Sequence, residues 1–460
     1  VTIVARHRHR HRQSRTETQY ERFRSANPDF IARLAVLRQY RARQMELLGA
    51  ATGRQRHSEV RRVLRERDLH LLYAYEAVLR CKRLNHATPI SIAQLATSFN
   101  AFVPVLNEAV CTRRVDKGSG RRWVQEFGPR RRMHQALVAD VLRQIHPPLR
   151  RQTLFNGGMP TARNAVAAAY REGFTHGVEL DFENFYGSVA HERLADLLRP
   201  LPTSVVDNVV WDFALRDGSS PIAVVSSDAD PTPSALTGLS LGASTSPIVG
   251  ERIIAEVLAA AQCPETITYA DNLFVMGRSK EEVDERIHRI KESIASLNVG
   301  RLGLRVGHSI KYDLTRSFEF MKQDGEATPD GIEWKPSASK VRQYMVSALE
   351  GRLGLAEIEA AERRVRHWRR AYPDWPDGDA YEAEYLAALA VRRFYEDRNA
   401  SHRTSAVHAV LIATYAWEGL HPCVHFIPTE GDPSGECRKE LIAEVKRWLE
   451  DAEARRASAA

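Results

Sequence analysis

The segment Thr266 to Met276 constrains this chain more than any other. It is apolar on both sides of Asp271-Asn272, two turn formers, so it reads as strand, tight turn, strand, with those two residues at the apex. About ninety residues upstream, Gly177-Val-Glu-Leu-Asp-Phe182 alternates like a strand, with Val178 and Leu180 on one face and Glu179 and Asp181 on the other. Helical patterns surround both segments. Leu194, Leu197 and Leu198 mark a helix after the first strand. Ser246-Pro247 supplies an N-cap serine and a first-position proline for a helix that buries Ile253, Ile254, Val257 and Leu258. Ser279-x-x-Glu282 is a capping box, opening a helix that ends near Gly300 and aligns Val283, Ile287, Ile290, Ile294 and Leu297 on one stripe. Strand–helix, helix, hairpin, helix–strand predicts an α+β layer, a sheet with helices on one face.

The flanks read differently. His7 to Arg12 alternates His and Arg as a disordered or nucleic-acid-touching arm, and Tyr20 to about Ala101 has a helical composition. Asp116-Lys-Gly-Ser-Gly-Arg-Arg-Trp-Val124 reads as a hairpin tip running into a strand. Met133 to Ile145 carries Leu137, Val138, Val141, Leu142 and Ile145 at helical spacing and is stopped by Pro147-Pro148. Ser204 to Leu236 is the least legible region and ends in a polar Ser/Asp/Pro loop. Beyond about Ser337 the pattern is again mainly helical, as far as a charged, Ala-rich tail.

At 460 residues the chain can form two to four domains. Its 66 Lys+Arg exceed its 58 Asp+Glu, and the excess is concentrated: eleven basic and three acidic residues lie between Cys111 and Arg151. A block of that density fits contact with polyphosphate better than a plain solvated surface. The five cysteines (Cys81, Cys111, Cys263, Cys423, Cys437) form no CxxC pair, which fits a reducing compartment. His421-Pro-Cys423-Val-His425 alternates possible metal donors, but unrelated residues are the simpler reading. No membrane-spanning run or signal-peptide core is present, so the expectation is a soluble cytoplasmic protein with no membrane partner.

Asp181 and Asp271 are the carboxylates on which the chemistry rests. One on a strand and one at a hairpin tip can hold two Mg²⁺ ions, about 3.5–4 Å apart in such sites, for in-line displacement at a phosphate. Phosphoryl transfer asks mainly for such positioning and charge compensation.

Their neighbours carry a resemblance. Gly238-Leu-Ser-Leu-Gly-Ala-Ser-Thr-Ser-Pro247 resembles the Gly-Leu-Pro-Gln-Gly-x-x-x-Ser-Pro motif of reverse transcriptases. Leu180 to Val189 is similar to their first catalytic motif, and Tyr269-Ala-Asp-Asn272 to their Tyr-x-Asp-Asp. Lys117 to Phe127 looks like the fingers hairpin. Leu302 to Lys311 looks like the strand ending in a lysine. Phe318 to Met321, with Gly331 to Val341, looks like the primer grip leading into the thumb. Six segments in family order span Val115 to Val341 and lie closest to bacterial enzymes of retrons, group II introns and phage-defence systems.

The resemblance implies a right-hand polymerase with a helical N-terminal extension (1–105), fingers (106–178), palm (179–320), primer-grip hairpin and start of the thumb (321–350), and a helical thumb and C-terminal region (351–460). It makes Asp181, Asp271 and Asn272 the metal-holding set for two Mg²⁺ ions, with Mn²⁺ as the alternative ion and the Phe182 carbonyl as a main-chain ligand. Tyr186 would exclude a ribose 2′-hydroxyl and favour dNTPs. Lys117 with Arg121 or Arg122 would clasp the triphosphate, and Leu241 and Gly242 would line the nucleotide site. Lys311 is either the acid that protonates pyrophosphate or a surface lysine.

Two positions depart from the pattern. Leu241 replaces a Gln, with Ser240 replacing the Pro before it, and Asn272 replaces the second Asp of the hairpin. An amide oxygen still ligates Mg²⁺ but brings no charge, so weaker metal binding follows. Glu179 could supply some of that charge, though pairing with an Arg of the fingers fits better. The expected activity is RNA-directed DNA synthesis in antiphage defence, on an RNA template or structured non-coding RNA, with a DNA product and a partner protein or second copy as further partners. The alternatives are template-independent or protein-primed DNA synthesis, and a catalytically silent RNA-binding scaffold. Arg363, Arg364, Arg366, Arg369 and Arg370 with Trp368 would track a duplex backbone from the thumb or form a solvated helix.

Overall fold

The computed structural model describes residues 19–337 and 355–389, apart from 82, 84–85, 118–119, 225–236, 306–311, 322, 330, 373–374, 376–377, 383–384 and 387–388. The His7–Arg12 arm, Lys311, the His421–His425 segment and the Ala-rich tail lie outside the described residues. So do the side chains of Lys117, Arg121, Arg122, Arg364 and Trp368. The chain divides between Leu314 and Thr315 into two compact units. Both mix helix with antiparallel sheet, as the α+β pattern predicts.

Helical residues 19–26 lead into four further helices of the first unit: α1 (Pro28–Ala50), α2 (Gly53–Leu64), α3 (Arg67–Arg80) and α4 (Pro89–Thr97). Their apolar faces join α5 (Pro129–Ile145) in one core containing Leu34, Leu48, Leu72, Tyr75 and Leu137. His70 and His134 sandwich Phe99 there, at 3.9 and 4.5 Å between ring centroids. Burial drives the His134 imidazole down to about 3, so it packs as a neutral ring. Between α4 and α5, β1 (Val110–Lys117) and β2 (Gly120–Glu126) form the expected hairpin, with Asp116 opposite Arg121. The region least legible in sequence contributes β4 (Ile222–Val224), which runs parallel to β1 on its other edge.

Arg131 explains how that region is anchored. Its buried guanidinium pairs with Asp212 at 2.7 Å and donates to the Val105 and Glu108 carbonyls and to the Ser220 hydroxyl. A buried cation is tolerable only with this degree of satisfaction.

After α6 (Gly158–Arg171), β3 (His176–Glu183) enters the central sheet, ordered β5-β6-β3-β7 with β8 (Tyr312–Asp313) also against β3. The other strands are β5 (Ile267–Tyr269), β6 (Asn272–Gly277) and β7 (Gly303–Arg305). Val178, Leu180 and Phe182 are buried and Asp181 is exposed, which is the predicted two-residue alternation. The helix expected after β3 is only the single turn Leu194–Leu197, with Leu194 and Leu198 buried.

Helices α7 (Ser246–Ala260) and α8 (Lys280–Leu297) pack together. Helix α7 corrects the predicted cap by one residue. Thr245 is the N-cap, because the Ser246 hydroxyl donates instead to the Ser240 carbonyl at 2.8 Å and closes the preceding loop. In α8, Ser279 caps Glu282 as expected, while the Glu282 carboxylate reaches past it to the Arg278 N–H at 2.7 Å.

The second unit contains the meander β9 (Phe318–Phe320), β10 (Gln323–Thr328) and β11 (Gly331–Pro336), followed by α9 (Leu355–Ala371). Ile358, Val365, Trp375, Tyr385 and Leu389 form its core, with Trp334 packed against them. On α9, Arg369 pairs with Asp379 at 2.7 Å and Arg363 reaches Glu359 at 3.8 Å, so some of the arginines make local bonds.

Candidate functional site

The β5–β6 hairpin turns on two residues. Tyr269 pairs with Asn272, which places Ala270 and Asp271 at the apex, one position earlier than the sequence suggests, and makes Asn272 the first residue of β6. Ala270 adopts φ +54, the left-handed backbone a two-residue hairpin loop demands. The Asn272 amide nitrogen donates back to the Tyr269 carbonyl at 3.4 Å, across the turn.

The register then decides which chemistry meets. Asn272 lies opposite Asp181, and Asp181 lies opposite Arg305. Tyr269, Asn272, Asp181 and Arg305 therefore form one row across four strands, with side chains on a shared face. The Phe182 N–H donates to the Asp271 carbonyl at 3.4 Å. The N–H and C=O of a paired strand residue point to the same neighbour, so the Phe182 carbonyl lies on the Asp271 side. Asp181, Phe182, Asp271 and Asn272 thus come together at one end of the sheet, Asp181 exposed and the hairpin residues half-buried.

The Gly238–Pro247 loop packs against this edge. The Leu239 N–H donates to the Tyr186 carbonyl at 2.6 Å. Gly238, at φ +64, would place a Cβ 1.9 Å from that oxygen. Arg216 holds the Gly238 carbonyl from the other side, and burial lowers its guanidinium to about 10. At the far end the Leu241 carbonyl accepts from the Gln125 N–H at 2.8 Å, and Gly242 (φ +110) approaches the Gln125 carbonyl so closely that a Cβ would lie 2.2 Å away. Tyr186, Leu241, Gly242 and strand β2 are in this way joined through backbone. The structure does not describe where the Lys117, Arg121 and Arg122 side chains point, nor Lys311.

Two residues escaped the sequence reading. Arg305 lies in the row beside Asp181, a relation that only strand pairing reveals. Glu251, 4% exposed on α7, is buried beside the Ala270 amide of the turn. Burial pushes its carboxyl up to about 7, the Ala270 amide opposing only in part, and neither oxygen makes a hydrogen bond of ordinary geometry. Its sequence signal was the spacing Glu251–Ile254–Leu258, which lies on one buried face of α7.

Asp181 and Asp271 with the Asn272 amide oxygen and the Phe182 carbonyl are an all-oxygen donor set of the kind Mg²⁺ takes. Among the described residues no group of three or more His, Cys, Asp or Glu side chains forms a metal cluster. The set has two carboxylates, Asp181 and Asp271. The described cysteines, Cys81, Cys111 and Cys263, are free thiols. Among the described residues no helix is long and apolar enough to cross a membrane. Set beside known proteins, the chain matches no family model and no curated protein.

Proposed function

We propose that this protein is an RNA-directed DNA polymerase of the reverse-transcriptase type, with β1–β2 as fingers, the β5-β6-β3-β7 sheet as palm and the β9–β11 meander leading into a thumb. The observation that carries the reading is the Tyr269–Asn272–Asp181–Arg305 row, with Asp271 at the adjoining turn. Two resemblance motifs ninety residues apart in sequence become neighbours there, and the third, Gly238–Pro247, is bonded to Tyr186 beside them.

Asp181, Asp271, the Asn272 amide oxygen and the Phe182 carbonyl would hold the divalent ions. Bound Mg²⁺ supplies Lewis-acid polarisation of the phosphate and a lowered pKa for the attacking 3′-hydroxyl. The chain's own work is positional. The Leu239–Tyr186 bond fixes the backbone from which the Tyr186 ring projects, where it would stand against a ribose 2′-hydroxyl. Arg305, in the same row as Asp181, places a guanidinium where phosphate charge would gather. Antiphage defence is the proposed biological setting.

Primer extension on an RNA template, with Mg²⁺ or Mn²⁺, tests the reading. Wild type is expected to extend a DNA 3′ end, and Asp181→Ala or Asp271→Ala to abolish extension while RNA binding survives. No extension by wild type with either ion would support instead the silent RNA-binding scaffold, a reading favoured by the two-carboxylate donor set. DNA covalently attached to the protein would support protein-primed synthesis.

A further inference from the structure

A cavity of about 370 Å³ opens among α1, α3 and α5, with Ser244 of the Gly238–Pro247 loop on its wall. Four arginines line it (Arg38, Arg41, Arg80 and Arg143) against two carboxylates, Glu76 and Asp140. The carboxylates are already engaged. Arg41 bonds both Glu76 oxygens at 3.1 Å, and Asp140 accepts from Arg143 at 2.7 Å and from the Tyr73 hydroxyl at 2.5 Å. Arg38 and Arg80 are exposed and form no ion pair among the described residues, which leaves the cavity with two uncompensated positive charges.

The lining favours phosphate over base. Tyr73 is 1% exposed and lies beneath the Arg41 guanidinium, so its ring offers no stacking face inside the cavity. Next to the cavity, Phe155 is an exposed aromatic with Arg143 over its ring at 5.1 Å. Paired cationic groups with an adjoining exposed ring are how single strands are held without regard to sequence. The volume takes about one nucleotide unit.

We propose that this arginine cavity binds backbone phosphates of a single-stranded polynucleotide, with Arg38 and Arg80 as the phosphate contacts. The N-terminal helices then hold nucleic acid directly, a role that goes beyond polymerisation and does not require it.

The test is fluorescence anisotropy of the full chain with labelled oligo(dT) of about 20 nucleotides, without divalent ion, over a salt series. Arg38→Ala/Arg80→Ala is expected to weaken binding about tenfold near 0.1 M salt and to lower the log–log salt slope by about 1.4, the share of two single-strand phosphates. Arg38→Lys/Arg80→Lys should recover most of the slope, since it keeps the charge on the same stems. The charge-matched control Arg61→Ala/Arg171→Ala, on exposed helical positions outside the cavity, should leave it unchanged. Equal affinity and slope in wild type and Arg38→Ala/Arg80→Ala would overturn the proposal. So would inorganic pyrophosphate displacing the oligonucleotide at micromolar concentration, because the site would then take small anions. This assay runs without divalent ion and reads binding alone, so failure here and failure of the polymerase reading are separate results.

Discussion

Gly238 lies so close to Tyr186 that a Cβ on the glycine would stand 1.9 Å from the tyrosine carbonyl, the same oxygen that accepts the Leu239 N–H at 2.6 Å. Two segments some fifty residues apart in sequence thus meet backbone to backbone, a contact only glycine permits at φ +64.

Gly238→Ala should therefore cost about 2 kcal/mol or more, from backbone strain plus a clash that no side-chain rotation relieves. Gly218→Ala, at φ +80 with open space around it, should cost only about 1 kcal/mol of strain. Urea unfolding of both variants measures the difference. In primer extension Gly238→Ala should also raise the dNTP KM, because it displaces Tyr186.

Asn272→Asp introduces a carboxylate opposite Asp181 and removes the amide donor to Tyr269. The Mg²⁺ concentration for half-maximal binding is expected to fall about tenfold with the added charge. Without metal the variant should lose about 1 kcal/mol, since a carboxylate facing the Tyr269 carbonyl cannot donate to it. Titration calorimetry with Mg²⁺ and metal-free unfolding read the two effects separately.

Glu251 predicts a pH dependence of definite sign. Its folded pKa, about 7, lies above its usual 4.5, so the folded state binds the proton more tightly than the unfolded chain. The stability it contributes is complete below 4.5 and is lost as pH rises through 7, up to about 3 kcal/mol in all. Glu251→Gln should remove this slope and leave the variant more stable than wild type above neutrality. Urea midpoints at about pH 5 and pH 8 check it, and equal slopes in the two proteins would contradict it.

Arg131→Met strands the buried Asp212 carboxylate and should destabilise the first unit by about 3–5 kcal/mol. Replacing both partners, Arg131→Met with Asp212→Leu, should recover much of that loss, although the Val105 and Glu108 carbonyls would still lack their donor. Thermal unfolding of the single and double variants gives the coupling directly.

The elements of the first unit were legible because their signals are local. Period-two alternation placed Val178, Leu180 and Asp181 on the correct faces of β3, and the Ser279 cap and the isoleucine stripe located α8. Asp271 was recognisable because a tight turn needs residues of its kind. Other relations required the folded chain. Ser246 resembles an N-cap until its hydroxyl finds Ser240, and Asn272 resembles a turn apex until its pairing with Tyr269 makes it a strand residue. Arg305 comes beside Asp181 only through the register of β3 with β7, and Glu251 reaches the hairpin turn only because α7 packs beneath it. Periodicity and capping are properties of neighbours along the chain, so they survive in the order of residues. Which charges face one another depends on contacts between distant segments, and those are set when apolar faces choose their partners in the core.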